Sequence, residues 1–212
     1  CYGSEIRTPN LDLMAENGLR FSSMYNAARC CPTRASLLTG LYPHQAGVGH
    51  MIGNLGTAAY QGYLRNDCVT MAEALQQSGY RTLMSGKWHV GGDYEPRDAD
   101  SWTPGDLVHP TPLQRGFDRF YGTLDGAGGY FNPHYLMENG ERVYPEAPDY
   151  YLTDAISEKA VGMVEEAVED EKPFFLYLTY TAPHWPLHAM PDDIAKYEGL
   201  YRNGWEIGRA HV

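Results

Sequence analysis

Apolar residues recur along this chain with two different periods. Leu11, Met14 and Ala15 form a helical stripe behind Thr8-Pro9, a favourable cap and first-turn pair, and Gly18 is placed to close the helix. Residues 69–77 repeat the design with Gly79 as terminator, and residues 80–85 then read as a short strand. The clearest helix covers 153–169, where Ile156, Ala160, Met163, Val164, Ala167 and Val168 share one face and acidic residues take the other. Lys172-Pro173 leads from it into Phe174-Phe175-Leu176-Tyr177-Leu178-Thr179-Tyr180, a nearly continuous apolar run expected of a buried parallel strand. Helices and strands alternate, so the pattern predicts an α/β domain.

Between Gly91 and Tyr150 the periodicity is lost. This stretch holds seven of the fourteen prolines, and long irregular segments inside compact domains are usually functional loops or linkers. Its aromatics, among them Trp102, Phe117, Phe120, Tyr121, Tyr130 and Phe131, argue for an ordered excursion over a cleft. No repeat or low-complexity tract is present.

Composition narrows the classes of function. A formal charge of -11 with no Lys/Arg-rich stripe repels a phosphate backbone, so no nucleic-acid partner is expected. Charged residues, Gly or Pro interrupt every hydrophobic run, so no membrane span is expected. Cys1, Cys30, Cys31 and Cys68 have neither the density of a disulfide scaffold nor the paired spacing of a structural zinc site. The chain starts at Cys1 without a signal-peptide pattern; a start removed or processed away is expected, with a mature lipoprotein as the alternative. At the other end, Glu206-Ile207-Gly208-Arg209-Ala210-His211-Val212 resembles the translation of a sequencing-adapter oligonucleotide, an expected read-through artefact that stays out of the fold argument.

The densest chemical signal is Cys30-Cys31-Pro32-Thr33-Arg34-Ala35-Ser36-Leu37-Leu38-Thr39-Gly40. Pro32 suits the first turn of a helix, Leu37 and Leu38 can bury against a sheet, and Gly40 can end it. Cys30 would then stand just ahead of a helix N-terminus, where unpaired N–H groups and the helix dipole favour an oxyanion such as sulfate or phosphate. Arg34, one turn further in, adds a permanent charge. Spacing alone leaves open a surface helix with two incidental cysteines, and a reactive thiolate activated by the helix end.

Cys30-Cys31-Pro32-Thr33-Arg34 resembles the C-x-P-x-R element of the formylglycine-dependent (type I) sulfatases, and Leu38-Thr39-Gly40 continues their longer signature. Thr8-Pro9-Asn10-Leu11-Asp12, Gly18-Leu19-Arg20-Phe21 and Tyr42-Pro43-His44 resemble the flanking stretches of the same family, up to about Gly204. The resemblance implies an arylsulfatase-like hydrolase of the alkaline phosphatase superfamily. Its fold would be an incomplete alkaline-phosphatase-like sulfatase domain, α/β, with a mostly parallel sheet flanked by helices. Residues 1–205 would form part of the catalytic domain, 91–150 its excursion.

The resemblance further implies that a maturation enzyme oxidises Cys30 to formylglycine, one hydroxyl of whose hydrate attacks sulfur while the other later expels sulfate. In Gly86-Lys87-Trp88-His89, Lys87 would bind a sulfate oxygen and His89 assist the formylglycine hydroxyl. On an extended strand the two side chains point to one side. In Ala182-Pro183-His184-Trp185-Pro186-Leu187-His188, His184 would protonate the departing alcohol, while His188 is a candidate substrate contact or a structural residue. His44, His50, His109 and His134 are left out of the catalytic set.

The resemblance further implies calcium held by an acidic pair ahead of this region and an Asp-Asn or Asp-Gln pair after it, and a further sulfate-binding lysine downstream; these 212 residues supply none of them, so only Cys30, as formylglycine, would be a metal ligand here. The polar residues expected after Gly116-Phe117-Asp118-Arg119-Phe120 are replaced by Leu124-Asp125-Gly126-Ala127-Gly128. The expected activity is cleavage of a sulfated small molecule or carbohydrate by the parent protein in the periplasm or outside the cell, with this piece inactive alone. The alternatives are a phosphonate monoester or phosphodiester hydrolase of the same superfamily, and a catalytically dead relative that binds sulfated glycans.

Overall fold

A computed structural model describes residues 6–93, 106 and 108–200, so the suspected adapter-derived segment 206–212 lies outside the described residues. The elements in chain order are α1 (Pro9–Glu16), α2 (Cys30–Thr39), α3 (Met71–Gln77), β1 (Arg81–Gly86), β2 (Arg119–Thr123), β3 (Leu136–Glu138), β4 (Glu141–Arg142), α4 (Leu152–Glu169), β5 (Phe174–Thr179) and α5 (Pro191–Ala195), with a 3-10 turn at Pro112–Arg115. They divide into two compact units, Cys1–Asn26 with Ala189–Val212, and Ala27–His188. No helix among the described residues is long and apolar enough to cross a membrane.

In the first unit α1 starts at Pro9 as the sequence predicts, with the Thr8 hydroxyl donating to Asp12 at 3.1 Å. It ends at Asn17, one residue before the expected Gly18, because the Asn17 amide reaches back to the Leu13 carbonyl at 2.9 Å.

The second unit is built on one five-stranded sheet of order β4-β3-β2-β1-β5. β1 runs parallel to β2 and to β5, whereas β2–β3 and β3–β4 are antiparallel. The α/β sheet flanked by helices is as expected, but it is mixed and not purely parallel, because the stretch expected to be irregular supplies β2 and a short meander whose strands need only tight turns. Successive residues face opposite sides of the strands. Leu83, Tyr121 and Leu136 meet the buried stripe Ile156, Met163 and Ala167 of α4 on one face. Met84, Phe120, Met137 and Tyr177 meet Cys31, Ala35, Leu38 and Ala72 of α2 and α3 on the other. The helices thus sandwich the sheet.

Two burial expectations are corrected. β5 is an edge strand in this unit, and of its residues only Tyr177 is buried. Leu38 is fully buried but Leu37 is 55% exposed, because neighbours on a helix are about 100° apart and cannot share its core-facing side. Cys68, without a catalytic assignment, is structural. Its carbonyl accepts from buried Arg115, whose Nε also pairs with Glu73 at 2.8 Å, and Glu73 closes the capping box that starts α3 at Thr70.

Candidate active site

The C-terminal ends of the three parallel strands converge. At Gly86 of β1 and Gly122 of β2 the backbones approach so closely that a Cβ on either would strike the neighbouring strand's main chain, Thr179 and Gly86 respectively. Only glycine permits that approach. The ladder then continues past β1. Lys87 N–H donates to Thr179 O (2.7 Å), Trp88 N–H to Thr123 O (2.9 Å) and His89 N–H to Leu124 O (3.0 Å). Trp88 is wholly buried, with its indole N–H on the Pro110 carbonyl at 2.8 Å. This anchor fixes the polar residues on either side of it.

Lys87 and His89 are 2% and 3% exposed. They meet one another's surroundings, as expected, although not by strand alternation: β1 has ended, and His89 adopts φ 56. Their common partner is Gly126. Its carbonyl accepts from the Lys87 ammonium, and its Cα lies flat against the His89 imidazole. A Cβ there would stand 2.7 Å from Nδ1 and nearer still to Cε1 and Nε2. The His89 Nδ1 is buried without a hydrogen-bond partner among the described residues.

The N-terminus of α2 faces this pair. Cys30 is its first helical residue, one position further in than expected, with Arg29 as N-cap and no side-chain cap bond. Gly40 ends the helix in the left-handed region at φ 70, as the sequence predicts. The ligand atoms of Cys30, Cys31 and His89 lie within 4.8 Å of one another. Arg34 crosses from the second turn to donate to the Lys87 carbonyl (2.5 Å) and bonds the Tyr177 phenol from β5. α2, β1 and β5 are thereby tied together at one point.

The site is electropositive and largely buried. A hydrogen bond from Cys31 holds the Cys30 thiol well below its ordinary range, and His89 and Lys87 act in the same direction. Bonding to Cys30 and burial push Cys31 up, so the charge resides on Cys30. Burial, then the Arg34 cation, lower Lys87 to about 8. Burial also lowers His89. Asp125 is pushed up to about 7 by burial, against the pull of Lys87. A thiol with a depressed pKa is thiolate below neutral pH, where ordinary thiols are protonated. In the unmodified chain, iodoacetamide at pH 6 is therefore expected to alkylate Cys30 at least about tenfold faster than Cys31 or Cys68. Peptide mass mapping reads this, and equal rates would contradict the assigned charge.

Sequence reasoning placed Asp125 and Gly126 where polar family residues are expected but gave them no role, and it gave none to Tyr177. Gly126 acts through the side chain it lacks, and its signals were its position after Gly116-Phe117-Asp118-Arg119-Phe120 and the run Gly126-Ala127-Gly128-Gly129. His184 and His188 lie on the loop after β5. His184 Nδ1 bonds the Trp185 carbonyl at 2.6 Å, and His188 Nδ1 accepts from Tyr130 N–H at 3.3 Å. Among the described residues, neither is joined by a hydrogen bond to the Cys30 cluster. The excluded His44 and His109 are engaged locally, with Tyr60 and Asp106.

Comparison with known proteins places this geometry. The family model described as Sulfatase matches residues 1–209. An arylsulfatase of Klebsiella aerogenes is 36% identical over 100% of this chain and 45% of its own length. An uncharacterized sulfatase of Schizosaccharomyces pombe is 33% identical over 98% of this chain and 39% of its own. The crystal structure of Ps i-CgsB in complex with k-i-k-neocarrahexaose superposes with a TM-score of 0.72 at 34% identity, over 90% of this chain and 43% of that one. The chain thus spans less than half the length of these relatives.

Proposed function

We propose that this chain, which belongs to the sulfatase family, carries the nucleophile and the anion-binding half of a sulfuric ester hydrolase whose activity resides in the full-length protein. The observation that carries the reading is the junction of Cys30 with Arg34, Lys87 and His89 at an uncapped helix N-terminus. A sulfate ester needs an oxyanion site and a nucleophile within it, and this arrangement offers both.

The Cys30 sulfur stands where formylglycine would be after oxidation by a maturation enzyme. When present, the hydrated aldehyde supplies one hydroxyl to attack sulfur and a second whose deprotonation expels sulfate. The residues of this chain then act around it. Lys87 and Arg34 hold the anion, the first with its ammonium and the second by fixed positive charge. His89, neutral through burial, accepts the hydroxyl proton. His184 gives a proton to the departing alcohol. Its Nδ1–H donates to the Trp185 carbonyl, so the proton transferred is the one that Nε2 carries in the imidazolium form. His188 contacts substrate.

Calcium is the ion the family resemblance implies. Near Cys30 the described residues offer sulfur and imidazole, a softer set than the several oxygens a hard cation requires. They do not fit calcium as they stand. The calcium ligands are proposed to come from the rest of the protein, and these 212 residues alone are expected to be inactive. A sulfated small molecule or carbohydrate is the proposed substrate, and the periplasm or extracellular space the proposed location.

The phosphonate or phosphodiester alternative shares the nucleophile and the cationic pocket. Rates of the full-length protein, co-expressed with a maturation enzyme, on 4-nitrophenyl sulfate and phenyl phosphonate esters separate the two. The sulfatase reading predicts a larger kcat/KM on the sulfate, and a larger value on the phosphonate would replace it. A protein that binds sulfated glycans and turns over neither ester would be the dead relative.

A further inference from the structure

The chain leaving the nucleophile pocket carries nothing larger than a methyl group until Tyr130. Gly126 lies against His89, and three residues on a Cβ built at Gly129 would stand 3.7 Å from His188 Cε1. Three residues reach at most about 10 Å, so Gly129, which adjoins His188, lies no further than that from the backbone that supports the catalytic imidazole. The floor between them is bare main chain.

Tyr130 fixes the far end of this floor. Its N–H donates to His188 Nδ1 (3.3 Å), its hydroxyl to the His184 carbonyl (2.6 Å), and its carbonyl accepts from Leu152 N–H (2.8 Å). With Nδ1 accepting, the neutral His188 ring carries its proton on Nε2, as a donor. Phe131 then turns outward, 44% exposed, with its ring 5.5 Å from His188 and 5.4 Å from Tyr151. Tyr151 is itself tied to the His188 carbonyl at 3.1 Å. The Phe131 ring is thus braced by two other rings yet 44% exposed, with Asn132 and His134 also exposed close by in the chain.

We propose that this wall is a sugar subsite, in which a pyranose ring of a sulfated carbohydrate stacks on Phe131 while His188 Nε2 donates to one of its hydroxyls. A pyranose has an apolar C–H face, drawn to the negative face of an aromatic ring, and a rim of hydroxyls that need polar partners. One open ring with polar neighbours meets both demands, whereas an aryl ester would be served by apolar enclosure on both faces. The inference names the substrate class of the proposed sulfatase site and rests on that reading.

The test uses the matured full-length protein, its Phe131→Ala and Phe131→Tyr variants, and three probes: 4-nitrophenyl sulfate, N-acetylglucosamine 6-sulfate and N-acetylgalactosamine 4-sulfate. Wild type is expected to cleave at least one sugar sulfate. Phe131→Ala is expected to raise the KM for that sugar about 5- to 10-fold with kcat nearly unchanged, and Phe131→Tyr to restore it. The 4-nitrophenyl sulfate KM should move by less than about twofold. An unchanged sugar KM, or equal losses on sugar and aryl ester, would overturn the subsite. Turnover of the aryl ester with none of either sugar sulfate would also overturn it and leave the sulfatase reading standing. Turnover of no sulfate ester would end that reading, and the subsite with it.

Discussion

Cys30→Ala in the full-length protein, matured in parallel with wild type, is expected to lower kcat on 4-nitrophenyl sulfate by on the order of 10⁴-fold or more. Removal of the reacting atom leaves only binding and electrostatic contributions, and losses of that size follow when a nucleophile is deleted. Cys31→Ala is the informative companion. Cys31 is fully buried in the core beneath the sheet and bonds the Cys30 sulfur. Its loss should cost stability and lower the reactivity of the unmodified Cys30 thiol, while the matured enzyme keeps most of its kcat. A comparable collapse in both variants would mean that the two cysteines act as a pair, and would undo the assignment of Cys30 as the sole nucleophile.

Gly126→Ala should have the second largest effect, although the residue offers no functional group. The added methyl overlaps the His89 ring, so either the imidazole or the loop that accepts the Lys87 ammonium must move. Displacements of about 1 Å in a catalytic constellation can cost about 10²-fold. The expectation is a loss of kcat of about that size on 4-nitrophenyl sulfate, together with a displaced pH profile, because the burial that lowers His89 changes with its position. Gly128→Ala is the control. There a Cβ meets its nearest neighbour, the His134 backbone nitrogen, at 3.5 Å, ordinary contact, and less than a twofold change is expected. Equal losses at Gly126 and Gly128 would point to general loop damage instead of a specific seat for His89.

The contrast between Cys30 and Gly126 also shows which parts of the molecule were legible in the sequence. The α2 signal is local: a proline in the first turn, a glycine past the last and a cysteine at the start are dictated within eleven consecutive residues, and the helix forms there. α4 was equally plain, since a five-turn apolar stripe has no other use. Lys87 and His89 were recognised through a short motif, but the reason given for their common orientation was incomplete. They meet because Trp88 is anchored on Pro110, 22 residues on, while Gly126 accepts from Lys87 across 39 residues and leaves room for the His89 ring.

What escaped the sequence is non-local or negative. β3 and β4 carry Glu138, Glu141 and Arg142, without the alternation that marks a strand, and they exist because β2 offers an edge to pair with. The apolar run of β5 reads as buried on both faces, yet in this unit it lies at the edge with Phe174 and Leu178 exposed. Gly126 could not be singled out from its neighbours because its contribution is the absence of a Cβ. The aromatic wall joins Phe131 to His188, more than fifty positions away; His188 was a candidate substrate contact, but Phe131 carries no motif that pairs them.

The most direct test of the central claim is the mass of the tryptic peptide Cys30 to Arg34 after co-expression of the chain with a formylglycine-generating enzyme. That enzyme is expected to read an unfolded segment, so the test does not depend on the rest of the protein. The account predicts an aldehyde at Cys30 and an intact thiol at Cys31. Two intact thiols, with a control substrate converted in the same cells, would contradict it.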